Sequence, residues 1–206
     1  MEEERMPMYT IERDSTSHRR ELEKKLYGLD LISDNLREMT VVAWMTAWTS
    51  STFKTLEDMP WGGLHPSYLL IDHVNEVTRI GIALANAAKA EWKTDIPADI
   101  LIPTLILHDI DKPLMYMRRG DDVIRTQLAS ELPHGIIGAM LLRDLGFGER
   151  VVNAVAMHSP LMPFHGKTQE AYVLHYADHF ACDNAFLRDG LTPLYFLQAH
   201  PEGKKK

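Results

Sequence analysis

Between Ser67 and Trp92 the residues Val74, Val77, Ile80, Leu84 and Ala88 recur at spacings of three and four. That is one apolar stripe on a helix of 3.6 residues per turn, and it predicts a long helix over those residues. The same period runs through most of the chain. Leu22, Leu26 and Leu29 mark a first helix from about Ser17. Leu36, Val41, Trp44, Met45, Trp48 and Phe53 mark a second, N-capped by Asp30 or Ser33 and reaching about Asp58. A fourth starts near Pro97, a favoured first-turn residue, and runs into "PTLILHDIDKPLMY" at 103–116. Leu132 to Leu145, closed by Gly146, then "GERVVNAVAMHS", stopped by Pro160, then Glu170 to about Leu187, and a short "TPLYFLQAH" complete the set.

Strand-type alternation is nearly absent. "DDVIRTQL" (121–128) is the best strand candidate, and "RRGDDVIRT" reads as a connection. The expectation is therefore an all-α, single-domain helical bundle over residues 15–200. Residues 1–14 are expected to be a flexible segment and 201–206 a tail.

Composition narrows the partners. A net charge of -7 on 206 residues argues against nucleic-acid duplexes, which need a basic face. Lys204, Lys205 and Lys206 are the only basic run, read as a solvated tail. One cysteine, Cys182, precludes an internal disulfide and fits a reducing, cytoplasmic setting. No apolar run has the length of a membrane span, and "MEEERMPMYTIERDSTSHRR" has no signal-peptide core.

The chemistry lies in the histidines and aspartates. His73 sits near the start of the third helix, His108 and Asp109 end the fourth, His134 opens the fifth, His158 closes the sixth, and Asp178 lies in the seventh. Helices that turn their stripes inward can bring such groups to one end of a bundle. An aspartate buried after Leu105-Ile106-Leu107 needs a compensating charge, because an isolated carboxylate is strongly disfavoured there. A divalent cation is one such partner; a helix N-terminus or an arginine is another. Imidazole plus carboxylate is the mixed donor set of Zn, Fe, Mn or Ni sites. His18, His65, His165 and His200 fall in loops, tails or unpatterned stretches and are read as non-ligands. His175 shares a helix face with Asp178 and is a candidate support for it; His179 is read as exposed, and Asp72 and Asp111 as uninvolved.

The order His73…His108-Asp109…Asp178 on helices, with the local text "HDIDK", resembles the HD-domain superfamily of metal-dependent phosphohydrolases over about residues 65–187. Asp111 stands where that family often has glycine. The resemblance implies an all-helical core in which His73, His108, Asp109 and Asp178 hold one metal. His134 and His158 match two further histidines found in part of the superfamily. Members with both hold two ions, with the doublet aspartate, here Asp109, as the bridge. The implied cofactors are divalent transition metals (Fe, Mn, Ni or Zn), two per chain. The cyclic-di-GMP phosphodiesterase branch is not matched: Ser159, not a second histidine, follows His158, and its Gly-Tyr-Pro signature is absent.

The activity implied is hydrolysis of a small phosphorylated substrate, such as a nucleotide, by metal-activated water, with Asp109 and Lys112 in catalytic roles. Lys112, Arg118 and Arg119 are the candidate substrate cations. Two alternatives stay open. Superfamily members resembling myo-inositol oxygenase and phosphonate-cleaving oxygenases use the same ligand order for two irons and O₂. A non-catalytic regulatory module is the other; a degenerate member would be expected to lack a ligand, and all six candidates are present.

Overall fold

The computed structural model describes residues 7–159 and 167–199. Its helices are α1 (Thr16–Lys25), α2 (Asp34–Thr49), α3 (Leu70–Trp92), α4 (Ala98–Leu107), α5 (Lys112–Met115), α6 (Leu128–Glu131), α7 (Ile136–Asp144), α8 (Glu149–Met157), α9 (Gln169–Arg188) and α10 (Leu194–Ala199). A two-stranded antiparallel hairpin, β1 (Tyr116–Arg119) and β2 (Asp122–Arg125), lies between α5 and α6. The fold is all-α, as the periodicity predicts.

α2 and α4 form the centre. Residues 40–48 of α2 and 101–107 of α4 are all buried, so neither stretch has a solvent face. The indole of fully buried Trp44 donates from Nε1 to the Ile106 carbonyl at 3.3 Å, tying the two together without leaving a buried N–H orphaned. α3 and α9 pack side by side along one flank of α4, and the paired α7 and α8 cover another. Both flanks meet the C-terminal end of α4, where the His-Asp doublet lies.

The structure corrects several boundaries. α2 stops at Thr49, not near Asp58. Thr49 Oγ1 donates to the Met45 carbonyl and Ser51 Oγ to the Trp48 carbonyl, so hydroxyls take over the helix end, and a single 3₁₀ turn follows at Leu56–Asp58. α3 starts at Leu70 rather than Ser67, because Trp61 N–H bonds to the Tyr68 carbonyl and Pro60 bridges to Leu69. The connection read at 118–126 is mostly hairpin, turned at Gly120 with φ 63°. The helix expected from Leu132 begins at Ile136, after Gly135 at φ 92°. Residues 7–14, expected to be flexible, are extended and anchored: Tyr9 Oη donates to Asp144 Oδ2 at 2.7 Å, and Glu12 N–H to Thr46 Oγ1 at 3.0 Å. Residues 1–6, His165, His200 and the terminal lysines lie outside the described residues, and no described helix is long and apolar enough to cross a membrane.

Candidate metal centre

α4 ends at Leu107, and the chain continues in tight turns, with Ile110 N–H on the Leu107 carbonyl and Lys112 N–H on that of Asp109. This turn delivers His108 and Asp109 off the helix end into the interior; His108 is 0% and Asp109 2% exposed. The first turn of α3 brings His73, the middle of α9 brings Asp178, the C-terminus of α8 brings His158, and the residue before Gly135 brings His134.

Asp109 stands between two histidine pairs. Its Oδ1 is 2.8 Å from His134 Nε2 and 3.4 Å from His158 Nε2. Its Oδ2 is 3.2 Å from His73 Nε2 and 3.3 Å from His108 Nε2. Asp178 Oδ1 lies 3.3 Å from His73 Nε2 and 4.0 Å from His108 Nε2. Two trios, His73–His108–Asp178 and Asp109–His134–His158, each keep their ligand atoms within 4.8 Å of one another.

All four rings are held by Nδ1 so that Nε2 points inward. His108 Nδ1 donates to the Leu105 carbonyl at 2.8 Å, and His158 Nδ1 to the Val155 carbonyl at 2.7 Å. His73 Nδ1 meets Tyr68 Oη at 3.3 Å, and that hydroxyl donates to Glu76 at 2.6 Å. His134 Nδ1 lies 2.8 Å from Asp111 Oδ1. Such outer contacts fix the ring orientation that aims Nε2 at the centre, as around metal-bound imidazoles. Within the pairs, His73 and His108 Nε2 are 3.0 Å apart and His134 and His158 Nε2 3.1 Å apart. Two lone pairs facing at that distance repel unless a proton or cation lies between. The nitrogen and carboxylate donors therefore fit a divalent transition ion in each trio.

The electrostatics agree. Burial opposes the ionised Asp109, but Lys112 and His108 hold its carboxyl well below the usual range. Asp178 is depressed likewise, against burial, by His73 and His108. Burial would neutralise His134, yet the Asp111 and Asp109 carboxylates push it up to about 10. His158 goes the other way: burial and its neighbours His134 and His108 keep it neutral. The pocket is built to attract positive charge.

Lys112 is inside this cluster, not on a surface. Its Nζ is 2.8 Å from Asp109 Oδ2 and 4.1 Å from the centroid of the Trp61 ring, a cation–π contact. Trp61 also packs on His73, at 5.7 Å between ring centroids. The loop carrying Trp61 is pinned by His65, which is buried with Nε2 2.7 Å from Asp189 and stands outside both ligand trios. Arg118 donates from Nε to the Asp58 carbonyl at 3.2 Å, and Arg119 is exposed beside the hairpin turn.

Asp111 corrects the sequence reading. It is 1% exposed, holds His134 through Oδ1, and accepts the Gly135 N–H through Oδ2 at 2.6 Å. An aspartate in the glycine position of the doublet motif was the available signal. Cys182 adds a thiol 3.4 Å from Asp178 Oδ1, raised by burial and by that carboxylate. His175 packs on the His179 ring at 4.5 Å between centroids, and His179 is half-buried rather than exposed.

A dihydroneopterin 2',3'-cyclic phosphate phosphodiesterase of Methanocaldococcus jannaschii is similar, 32% identical over 113 residues. The match covers 53% of this chain and 44% of that protein, less than half of the relative's length. No solved structure gives a significant match. Residues 70–183, which carry all six candidate ligands, match the family described as HD domain. The chain belongs to the HD-domain family.

Proposed function

We propose that this protein is a metal-dependent phosphohydrolase with a two-ion centre, acting on a small phosphate ester. The observation that carries the reading is the split of Asp109: one carboxylate oxygen faces His134 and His158, the other His73 and His108. His73, His108 and Asp178 would hold one ion, His134 and His158 the other, with Asp109 bridging. Bound there, the pair of ions would clamp a phosphate and lower the pKa of a water to make hydroxide near neutral pH.

The protein's own residues would do the rest. The outer contacts of the four imidazoles keep every Nε2 free to bind. Asp109 is kept ionised by Lys112 and His108. Lys112, its ammonium held between Asp109 and the Trp61 face, is the proposed first contact for a phosphate oxygen. Arg118 and Arg119 on the hairpin are the further proposed anion contacts; Arg118 would exchange the Asp58 carbonyl for substrate.

The relative's activity weighs for hydrolysis over O₂ chemistry, and it points to a 2',3'-cyclic phosphate as the first substrate class to try. The test is a panel of cyclic diesters and phosphomonoesters, with protein loaded in turn with Mn, Fe, Ni and Zn. Metal-dependent release of a monoester or phosphate, lost in Asp109→Ala, is expected. No turnover with any metal, alongside an iron pair that consumes O₂, would overturn the hydrolytic reading.

A further inference from the structure

α9 carries apolar side chains on both sides. Its inner face buries Leu174, Ala177, Ala181 and Ala185. Its outer face exposes Tyr172 (52%), Tyr176 (63%), Phe180 (63%) and Leu187 (62%). At about 100° per residue these four fall within an arc of about 80°, opposite the buried face. Asp183 lies in the same arc, but its carboxylate is turned to accept the Tyr195 N–H at 3.0 Å, at the start of α10. That bond sets Tyr195, 60% exposed, beside the stripe.

We propose that this face is a self-association surface, packing against the same face of a second copy of the chain across a twofold axis. Taking about 200 Å² per aromatic side chain, the five residues present roughly 500–600 Å² of apolar surface. That is at the upper end for a monomer's largest patch. It also approaches the roughly 800 Å² per partner of a standard interface, which surrounding residues would complete. A twofold contact must be self-complementary. The stripe approaches that condition: apolar side chains would meet apolar side chains, and Asp183, the one charged residue in the arc, is turned toward the Tyr195 N–H. Tyrosine and phenylalanine are also the residues enriched in interface centres. Asp178 projects from the opposite side of the helix, so the contact would brace α9 without covering the metal centre.

The test is sedimentation equilibrium of the full chain at micromolar concentrations, beside the double variant Tyr176→Glu/Phe180→Glu. The wild type is expected at twice the chain mass. The double variant is expected to be monomeric, with at least a 100-fold weaker association and an unchanged circular dichroism spectrum, because glutamates would face each other across the axis. As an arm free of any folding effect of added charge, Phe180→Cys with a short bis-maleimide should give a cross-linked dimer, and Trp92→Cys should not, native Cys182 being buried. A monomeric wild type, even one that captures another protein or a neutral phospholipid vesicle, overturns the proposal. So does a double variant that stays dimeric.

Discussion

Asp111 Oδ1 lies 2.8 Å from His134 Nδ1, on the side of the ring opposite the Nε2 that faces Asp109 at 2.8 Å. The imidazole is thus gripped between a structural carboxylate and a candidate ligand carboxylate. Removing the outer grip frees the ring to rotate and lowers its basicity. Asp111→Ala is expected to weaken binding of the ion proposed at His134 and His158 by about 10- to 100-fold, leaving the proposed His73 site intact. Competition titrations of metal-free protein with a chromophoric chelator read both affinities. Equal weakening at both sites would show that Asp111 serves the whole fold rather than His134.

Gly135 lets the turn after His134 lie against the end of α8. Its φ is 92°, and an added Cβ would lie 2.7 Å from the Val155 carbonyl oxygen. Gly146 has φ 85° but open space around it. Both alanine variants should lose about 1–2 kcal/mol for the left-handed backbone. Only Gly135→Ala should lose more, because α7 must move off α8. Urea unfolding of the two variants separates the effects; equal losses would contradict the close approach.

The start of α9 is held by a buried carboxylate. Glu170 is 0% exposed and accepts from Arg150 Nε at 2.9 Å and Nη2 at 2.6 Å. Burial opposes its ionisation, but Arg150 holds its pKa below the ordinary value. A carboxyl whose folded pKa is depressed contributes stability above its unfolded pKa, and that contribution fades as pH falls through the folded value. Glu170→Gln should therefore cost about 1.5–3 kcal/mol at neutral pH. The gap to wild type should begin to narrow as pH falls below about 4, near the unfolded glutamate pKa. Melting temperatures at neutral and acid pH check this; a gap independent of pH would point to packing alone.

Lys112 is expected to act on substrate and not on metal affinity. Lys112→Met keeps the stem beneath Trp61 and removes the ammonium 2.8 Å from Asp109. Metal content should hold, since Oδ2 loses a competitor, and kcat/KM should fall about 10- to 100-fold, the equivalent of one or two charge-assisted hydrogen bonds. Elemental analysis with steady-state rates decides it; loss of metal would make Lys112 a structural counter-ion.

What could be read before the fold was known follows physical lines. α3 shows a clean stripe because one side of it faces solvent. α2 carries an apolar series from Leu36 to Phe53, but residues 40–48 are all buried and Phe53 beyond the helix is buried too, so the series runs past the true end at Thr49. The six candidate ligands come from the resemblance of their order on successive helices to the HD-domain pattern, and the structure brings them together in two trios. Asp111 was not legible, because two residues beyond Asp109 on a continuing helix it would point away; the helix stops at Leu107, and the turn swings it under His134. The pairing of His65 was not legible because its partner, Asp189, is 124 residues away.

The bridging role of Asp109 is tested most directly by counting ions. Protein purified and reconstituted under identical conditions, as wild type, His134→Ala and Asp109→Ala, is assayed for metal per chain by elemental analysis. Two ions in the wild type, about one in His134→Ala and close to none in Asp109→Ala are expected. Equal occupancy in His134→Ala and wild type, or a folded wild-type protein that takes up no metal, would contradict it.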